Sequence, residues 1–326
     1  MTKTDLKTTL LKIKDNRITT MLLPVVWLAV LCVIFGVATG GAFFDARSIR
    51  MMIDQTLIVA TVATGASFIY ATGNVNIAMG AMTGLVAALA MKTFEATESF
   101  ALMFLVAIVA GVALGIIAVL ISSKLRVKVL YVTVVMMTLL LAIHQTVIGN
   151  QTISIDTDNM EFIYLLQDYY VDYILFGLFF VACIVIFNFT KIGRAIRFIG
   201  TNSDCATATG MVTDKYLMIA FIIAGVGAGL GAILTIMRSG SVSNFTASTL
   251  NMDVLLAIVL GGMSVFGGSK SYVYSATLGA LTVVVLNNGL QRMDVDSIWI
   301  QAVRGVFFLV LVVISQTRTG LLPEKD

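Results

Sequence analysis

Apolar residues fall in runs of about 20 along almost the whole chain, the length a helix needs to cross the hydrocarbon of a bilayer. With 59% hydrophobic and 12% charged residues among 326, a soluble fold has too little interior to hide these side chains. Lipid is therefore the solvent for much of the surface. The period-two alternation of barrel strands is absent, and a single run satisfies its own backbone hydrogen bonds in hydrocarbon only as a helix. The expected class is an all-α integral membrane protein with about ten transmembrane helices.

The candidate spans are residues 20–42, 51–71, 77–92, 100–122, 128–149, 170–190, 214–237, 252–266, 271–291 and 297–316. They form a single transmembrane domain, 20–316, between an N-terminal tail, 1–19, and a C-terminal tail, 317–326. The apolar run after the basic N-terminus is too long for a signal-peptide core, so the tail reads as retained and cytoplasmic. With that end inside, the inner loops carry Lys124, Arg126, Lys128, Lys191, Arg194, Arg197 and Lys270, and the inner tail Arg318 and Lys325. The opposite loops carry Asp45, Glu95, Glu98, Asp156, Asp158, Glu161, Asp168, Asp294 and Asp296, with few basic residues such as Arg47, Arg238 and Arg292. This asymmetry selects N-in, C-in. The outer loop 150–168 is acidic; Tyr164, Tyr169 and Tyr170 there suit an interface belt as readily as a binding surface. The inner loop, 191–215, is too polar to span and too apolar to be disordered. It reads as a short amphipathic helix on the cytoplasmic face, which by periodicity alone fits an interfacial anchor equally well.

Several function classes lack their residues. The scattered charge offers no track for nucleic acid. Cys32, Cys183 and Cys205 form no CxxC pair, so no disulfide framework or metal site is implied. The GGSKS stretch at Gly267 to Ser271 superficially resembles a phosphate loop, but Ser269 breaks the GxxxxGK[ST] spacing. Gly227, Gly229 and Ala232 fit GxGxxA within an apolar helix rather than after a strand; with Gly225 and Gly231 they make small-residue packing faces, as do Gly36 with Gly40 and Gly111 with Gly115. Asp54 and Asp253 lie near the outer ends of their spans, and span centres are nearly free of charge apart from His144 and Arg304. Each of these two lines a pathway or serves packing and snorkelling. Nothing here forms a nucleophile or metal-ligand cluster, so the chain reads as a non-catalytic pore-forming subunit powered from elsewhere.

Three blocks resemble one family. LGGMSVFGGSKS, Leu260 to Ser271, precedes an apolar helix ending in NNGL and is similar to the LGGTSLxGG stretch and NNGL ending of ribose-type ABC importer permeases, in the branched-chain amino acid/ribose permease superfamily. GRAIRFIGTNSDCATATGM, Gly193 to Met211, resembles that family's GRALYAIGGNxEAARLSGI, with Gly193, Arg194, Ala195, Ile199, Gly200, Asn202, Ala206 and Gly210 matching. GNVNIAMGAMTGLVAAL, Gly73 to Leu89, is similar to GGIDLSVGSxMALxGVVAA, although Asn76 and Ala78 replace the usual Asp and Ser.

The resemblance implies a type II ABC importer permease of the bacterial cytoplasmic membrane, as a homodimer or sometimes a heterodimer with its path at the subunit interface. Its implied partners are two cytoplasmic ATPase domains, which bind the ATP and Mg that this chain does not, and an extracytoplasmic substrate-binding protein. The implied cargo is a monosaccharide such as ribose or a similar polyhydroxylated solute, with a nucleoside as the alternative. It makes the 191–215 loop the coupling element, with Thr201, Asn202, Ser203, Asp204, Ala206 and Gly210 as the docking residues. Ala206, Ala208 and Gly210 are small enough for close approach, and Asn202, Ser203 and Asp204 are able to cap a helix.

Candidate path residues are the amides and the acid at helix ends: Asn74, Asn76, Asn251, Asp253, Asn287 and Asn288. They supply donors and acceptors, mostly without a buried charge, and each serves equally as an interhelical hydrogen bond. The glycine-rich breaks, with Gly73, Gly80, Gly261, Gly262, Gly267 and Gly268, are hinges that bring short helices to the path or simply tight inner turns. The charge asymmetry is directly testable. In a background with the three native cysteines replaced, a cysteine at Ser123 or Thr201 should react only from the cytoplasm, and one at Asp158 only from outside. Labelling of position 158 from inside would invert the orientation.

Overall fold

The computed structural model describes residues 17–149, 151–155, 170–246, 249–263, 267–268, 272–296, 298–307 and 309. Most of both tails, Asp158, the acidic 156–168 loop, Tyr164, Tyr169 and Lys270 lie outside the described residues. Every candidate span overlaps a helix, although of the 297–316 run only 298–307 and 309 are described. The helices are α1 Arg17–Ala38, α2 Ala46–Ala71, α3 Met79–Thr97, α4 Phe100–Leu125, α5 Val129–Ile148, α6 Val171–Phe189, α9 Thr213–Ser239, α10 Leu250–Leu260, α11 Val273–Arg292 and α12 Ile298–Phe307. Two further helices, α7 Lys191–Thr201 and α8 Ser203–Ala208, occupy the inner loop.

Among the described residues, six helices are long and apolar enough to cross a bilayer: α2, α4, α5, α6, α9 and α11. Four of the ten expected spans are not among them: over the described residues Pro24–Ala38 of α1 and Ile298–Phe307 of α12 are shorter apolar helices, and the other two departures have physical causes. The 252–266 run yields only the 11 residues of α10, about 16 Å of helix, which is half of what a crossing needs. Gly261 and Gly262 stop it, Gly262 with φ +82°. The second is α3, whose helical face is buried against its neighbours along most of its length. Its mean hydropathy is lowered by Gly80, Thr83 and Gly84 and by the exposed Lys92–Glu95 pair, and packing against protein lets its buried face tolerate Gly, Ala and Thr in place of long apolar side chains.

The centre of the molecule is α9, held by backbone proximity. A Cβ on Gly225 would stand 2.5 Å from the carbonyl oxygen of Gly111 in α4, and one on Gly229 would stand 2.7 Å from that of Ala107. Gly227 meets Gly65 of α2 at a Cβ-to-Cα distance of 3.2 Å. In lipid there is no hydrophobic drive between helices, so close van der Waals packing at small residues must hold them. The small faces of α4 and α9 are therefore packing faces. The Gly36/Gly40 pair is not: Gly36 lies under the Phe44 ring, and Gly40 turns the chain after α1 with no atom near its missing side chain.

Buried hydroxyls on the central helices are satisfied locally. Thr61 donates to the Leu57 carbonyl at 2.7 Å, Ser67 to Thr64 at 2.6 Å, and Thr83 to Met79 at 2.9 Å. At one end of the bundle a two-residue antiparallel ladder joins β1, Ile153–Ser154, to β2, Ser241–Val242. His144, 1% exposed, has Nε2 3.1 Å from the Ser243 carbonyl beside that ladder, so it packs there instead of lining an opening. Arg292 at the end of α11 donates to the Ala42 carbonyl at 2.8 Å and to the Ser48 hydroxyl, tying α11 to the start of α2.

The close approach sets a testable contrast. Replacing Gly225 with leucine should cost about 3 kcal/mol or more through overpacking. Gly177 of α6 has no atom within 4 Å of a built Cβ, so Gly177→Ala should melt at the parental temperature or slightly above it. Thermal melts of the purified protein in detergent check both; equal melting of the two variants would remove α9 from the centre of the packing.

Candidate functional site

Four of the six candidate path residues lie in one buried polar region formed by α2, α3, α10, α11 and α12. Asp253, in the first turn of α10, accepts from Arg304 Nη1 of α12 at 3.2 Å and from Asn287 Nδ2 of α11 at 3.2 Å. Arg304 Nε donates to Asn287 Oδ1 at 2.5 Å, closing a triangle across three helices. Beside it, Asn288 donates to Gln55 Oε1 of α2 at 2.5 Å and to the Val284 carbonyl at 2.9 Å. Arg304 therefore does not snorkel outward. Its side chain is 9% exposed and that of Asp253 is 8%, so the pair is desolvated and holds because each charge has a partner.

Asn251 belongs to the same region. Its Oδ1 accepts from the backbone N of Ala81 at 3.0 Å, capping α3 from a residue 170 positions away. The starts of α3 and α10 thus abut, and only a glycine fits at position 80: a Cβ there would lie 2.8 Å from Asn251 Oδ1 and nearer still to its backbone. Asn74 and Asn76 are spent on their own turn. Asn74 donates to Thr72 Oγ1 at 3.0 Å; Asn76, 2% exposed, accepts from Ala78 N at 2.9 Å and turns its amide toward Met79 Sδ at 3.2 Å. Gln55 was not legible as a partner, and its only signal is an amide inside an apolar span. Among the described residues no group of three or more His, Cys, Asp or Glu could hold a metal ion.

The other region lies at the opposite end of α2. Gly267, φ +77°, packs onto Gly73, φ +80°, where a Cβ would stand 2.5 Å from the Gly73 nitrogen. A Cβ on Gly200 in α7 would collide with the Ala71 carbonyl and lie 3.0 Å from Gly268 N. The two glycine breaks and α7 therefore share one backbone-on-backbone junction, and at a separate contact Gly261 packs the end of α10 on α11 against the Ser275 carbonyl. Helix α7 is amphipathic, with Gly193, Ala195, Ile196 and Ile199 buried. Arg197 anchors it by donating to the Phe187 carbonyl at 3.2 Å, its guanidinium 5.1 Å from the Phe187 ring centroid.

Asn202 then breaks the helix and caps α8, accepting from Cys205 N at 2.9 Å. Thr201, Asn202, Ser203, Asp204, Ala208 and Gly210 are exposed, whereas Ala206 is fully buried. Its small side chain lets α8 settle on the chain's own core, so Ala206 is not part of the exposed face assigned to docking.

The buried triangle makes a sharp prediction. Arg304→Met alone leaves the Asp253 carboxylate without its cation and should cost about 3 to 5 kcal/mol, whereas Arg304→Met with Asp253→Leu should recover most of that. Melting of the single and double variants in detergent measures the difference; equal losses would mean that the two charges do not stabilise each other.

The comparisons with known proteins agree with this architecture. The family model described as "Branched-chain amino acid transport system / permease component" matches residues 48–315. The chain is 26% identical over 284 residues to the ribose import permease protein RbsC of Escherichia coli (strain K12), covering 85% of this chain and 88% of that one. It is 26% identical over 305 residues to the fructose import permease protein FrcC of Rhizobium meliloti, covering 90% and 84%. Against the autoinducer 2 import system permease protein LsrC of Photorhabdus laumondii it is 26% identical over 318 residues, covering 96% and 93%. No solved structure matches. A multi-pass, non-catalytic membrane subunit with these matches along most of its length belongs to the permease-component family of branched-chain amino acid-type transport systems.

Proposed function

We propose that this chain is the transmembrane permease of an ABC importer for a monosaccharide such as ribose. It works as a homodimer by alternating access, driven by two cytoplasmic ATPase domains that bind ATP and Mg, and is supplied by an extracytoplasmic binding protein. The observation that carries this reading is the end-to-end likeness to permeases named for ribose and fructose import. The autoinducer 2 permeases at the same identity widen the cargo class beyond simple sugars, and nothing observed favours a nucleoside.

The orientation in this reading is N-in, C-in, from the excess of Lys and Arg in the inner loops. It puts α7, α8 and the glycine junction on the cytoplasmic side, where an ATPase would bind. The exposed edge from Thr201 to Asp204, with Ala208 and Gly210, supports a docking role, because α7 behind it touches both glycine breaks through Gly200. A push on α8 would pass through α7 to the turn before α3 and to the segment between α10 and α11. Both lead to the polar region where α3 and α10 meet, so the coupling and path residues form one mechanical route.

Two measurements test this. Cells without endogenous uptake, expressing the chain with its ATPase and binding protein, should accumulate labelled D-ribose or D-fructose. Accumulation of labelled nucleosides alone would transfer the assignment to the nucleoside class. Asp204→Arg and Ala208→Trp, both on the exposed edge, should leave melting unchanged while weakening ATPase docking and cutting uptake at least tenfold. Normal docking and uptake in both variants would remove α8 from the coupling role.

A further inference from the structure

A second polar site lies outside the buried region. At the end of the bundle that bears the β1–β2 ladder, α2, α6 and α9 enclose a cleft of about 310 Å³ into which Arg50, Asp54, Asp172, Tyr173 and Arg238 converge. Its floor is apolar, formed by the buried Leu57, Leu234 and Met237. The Tyr173 hydroxyl donates to Asp54 Oδ1 at 2.9 Å, so α6 and α2 are joined at the rim. Among the described residues neither Arg50 nor Arg238 makes a side-chain hydrogen bond or an ion pair. Within the described residues these guanidinium groups act on the cleft's own aspartates only through space, Arg50 on Asp172 and Arg238 on Asp54, so a ligand in the cleft can meet their donors.

We infer that this cleft is an acceptance site for an uncharged, polyhydroxylated solute about the size of a monosaccharide. The size fits: at about 30 Å³ per water-sized group, the cleft holds on the order of ten non-hydrogen atoms. The chemistry fits as well. A sugar hydroxyl both donates and accepts, and the site pairs donor-only guanidinium groups with acceptor-only carboxylates and one phenol that does both. The apolar floor suits the C–H face of a ring. Two arginines against two aspartates leave no net charge, so an anion or a cation gains no electrostatic preference over a neutral cargo.

The placement also fits. In the N-in orientation these helix ends face outside, where a binding protein releases its load. Asp54 is followed directly in α2 by Gln55, the partner of Asn288. One helix therefore borders both the cleft and the buried polar region, and cargo would pass from the first toward the second as the helices shift. The choice of a sugar rests on the proposed importer function; the location and the balance of charges come from the cleft itself.

The test uses the full chain in membranes with its ATPase and binding protein, without native cysteines and with Met51→Cys on the cleft wall. D-ribose and D-fructose are the probes. The sugar that the assembly takes up should slow modification of that cysteine by a membrane-impermeant thiol reagent applied from outside. Adding Asp172→Asn or Arg238→Gln should raise the sugar concentration needed for protection about tenfold or more, while Lys92→Ala, whose exposed pair with Glu95 lies elsewhere, should leave it unchanged. Uptake without protection, or equal protection in the Asp172 and Arg238 variants, would overturn the cleft and leave the importer reading standing. Uptake of neither sugar, with protection by neither, would overturn the sugar assignment of both.

Discussion

Close contact between backbones at glycine is the constraint on which the rest of this structure depends. In lipid, apolar side chains gain nothing by leaving one apolar medium for another, so helices associate through packing that side chains would obstruct. Helix α9 meets α4 through Gly225, Gly229 and Gly111, and α2 through Gly227 and Gly65. With α9 seated this way, α2 presents Asp54 to one neighbour and Gln55 to another. The same device recurs where α7 meets the turn after α2, at Gly200 and Gly267. Interfaces built this way have few interlocking side chains.

The buried ionic triangle follows a different logic. Asp253 and Arg304 are costly to bury separately and tolerable only together, with Asn287 satisfying both. They tie the short α10 to α11 and α12, at the place where α10 also abuts the start of α3 through Asn251. Helix ends expose backbone groups that hydrocarbon cannot satisfy, and here the Asn251 amide of α10 accepts from one of them, the Ala81 N–H in the first turn of α3. Polar residues in the span ends thus serve as the local adhesive of a broken-helix region, and the region becomes a path only where such adhesive also exchanges partners.

The sequence carried some of this openly. Each apolar run became a helix, and the glycine faces on α4 and α9 were readable as packing surfaces because small residues four apart have one common use in membranes. Asn202 was readable as a cap because an amide before a polar turn has the right side chain for it. Other residues misled. Gly36 and Gly40 share the same spacing as a packing face, yet Gly40 only turns the chain. Ala206 sits among docking residues in the sequence and is buried in the fold, since an eleven-residue amphipathic helix and a six-residue one fold back onto the core in a way no local pattern states. Arg304 was legible as a charge two turns into a span, but its partners lie 17 and 51 residues away.

What the sequence determined by itself is what each segment owes to its solvent. The free energy of putting a given run into hydrocarbon depends on that run alone, so the apolar segments that become helices can be read one segment at a time, whereas their ends, as at Gly261 and Gly262, depend on the turns between them. The tertiary structure decided which polar groups meet. That depends on contacts between helices far apart in the chain, such as Asn251 with Ala81, Asn288 with Gln55, and Tyr173 with Asp54. A lone amide or carboxylate in a span has the same sequence signature whether it closes a buried triangle, caps a neighbour or lines a cleft, because the energy that separates these fates resides in the partner.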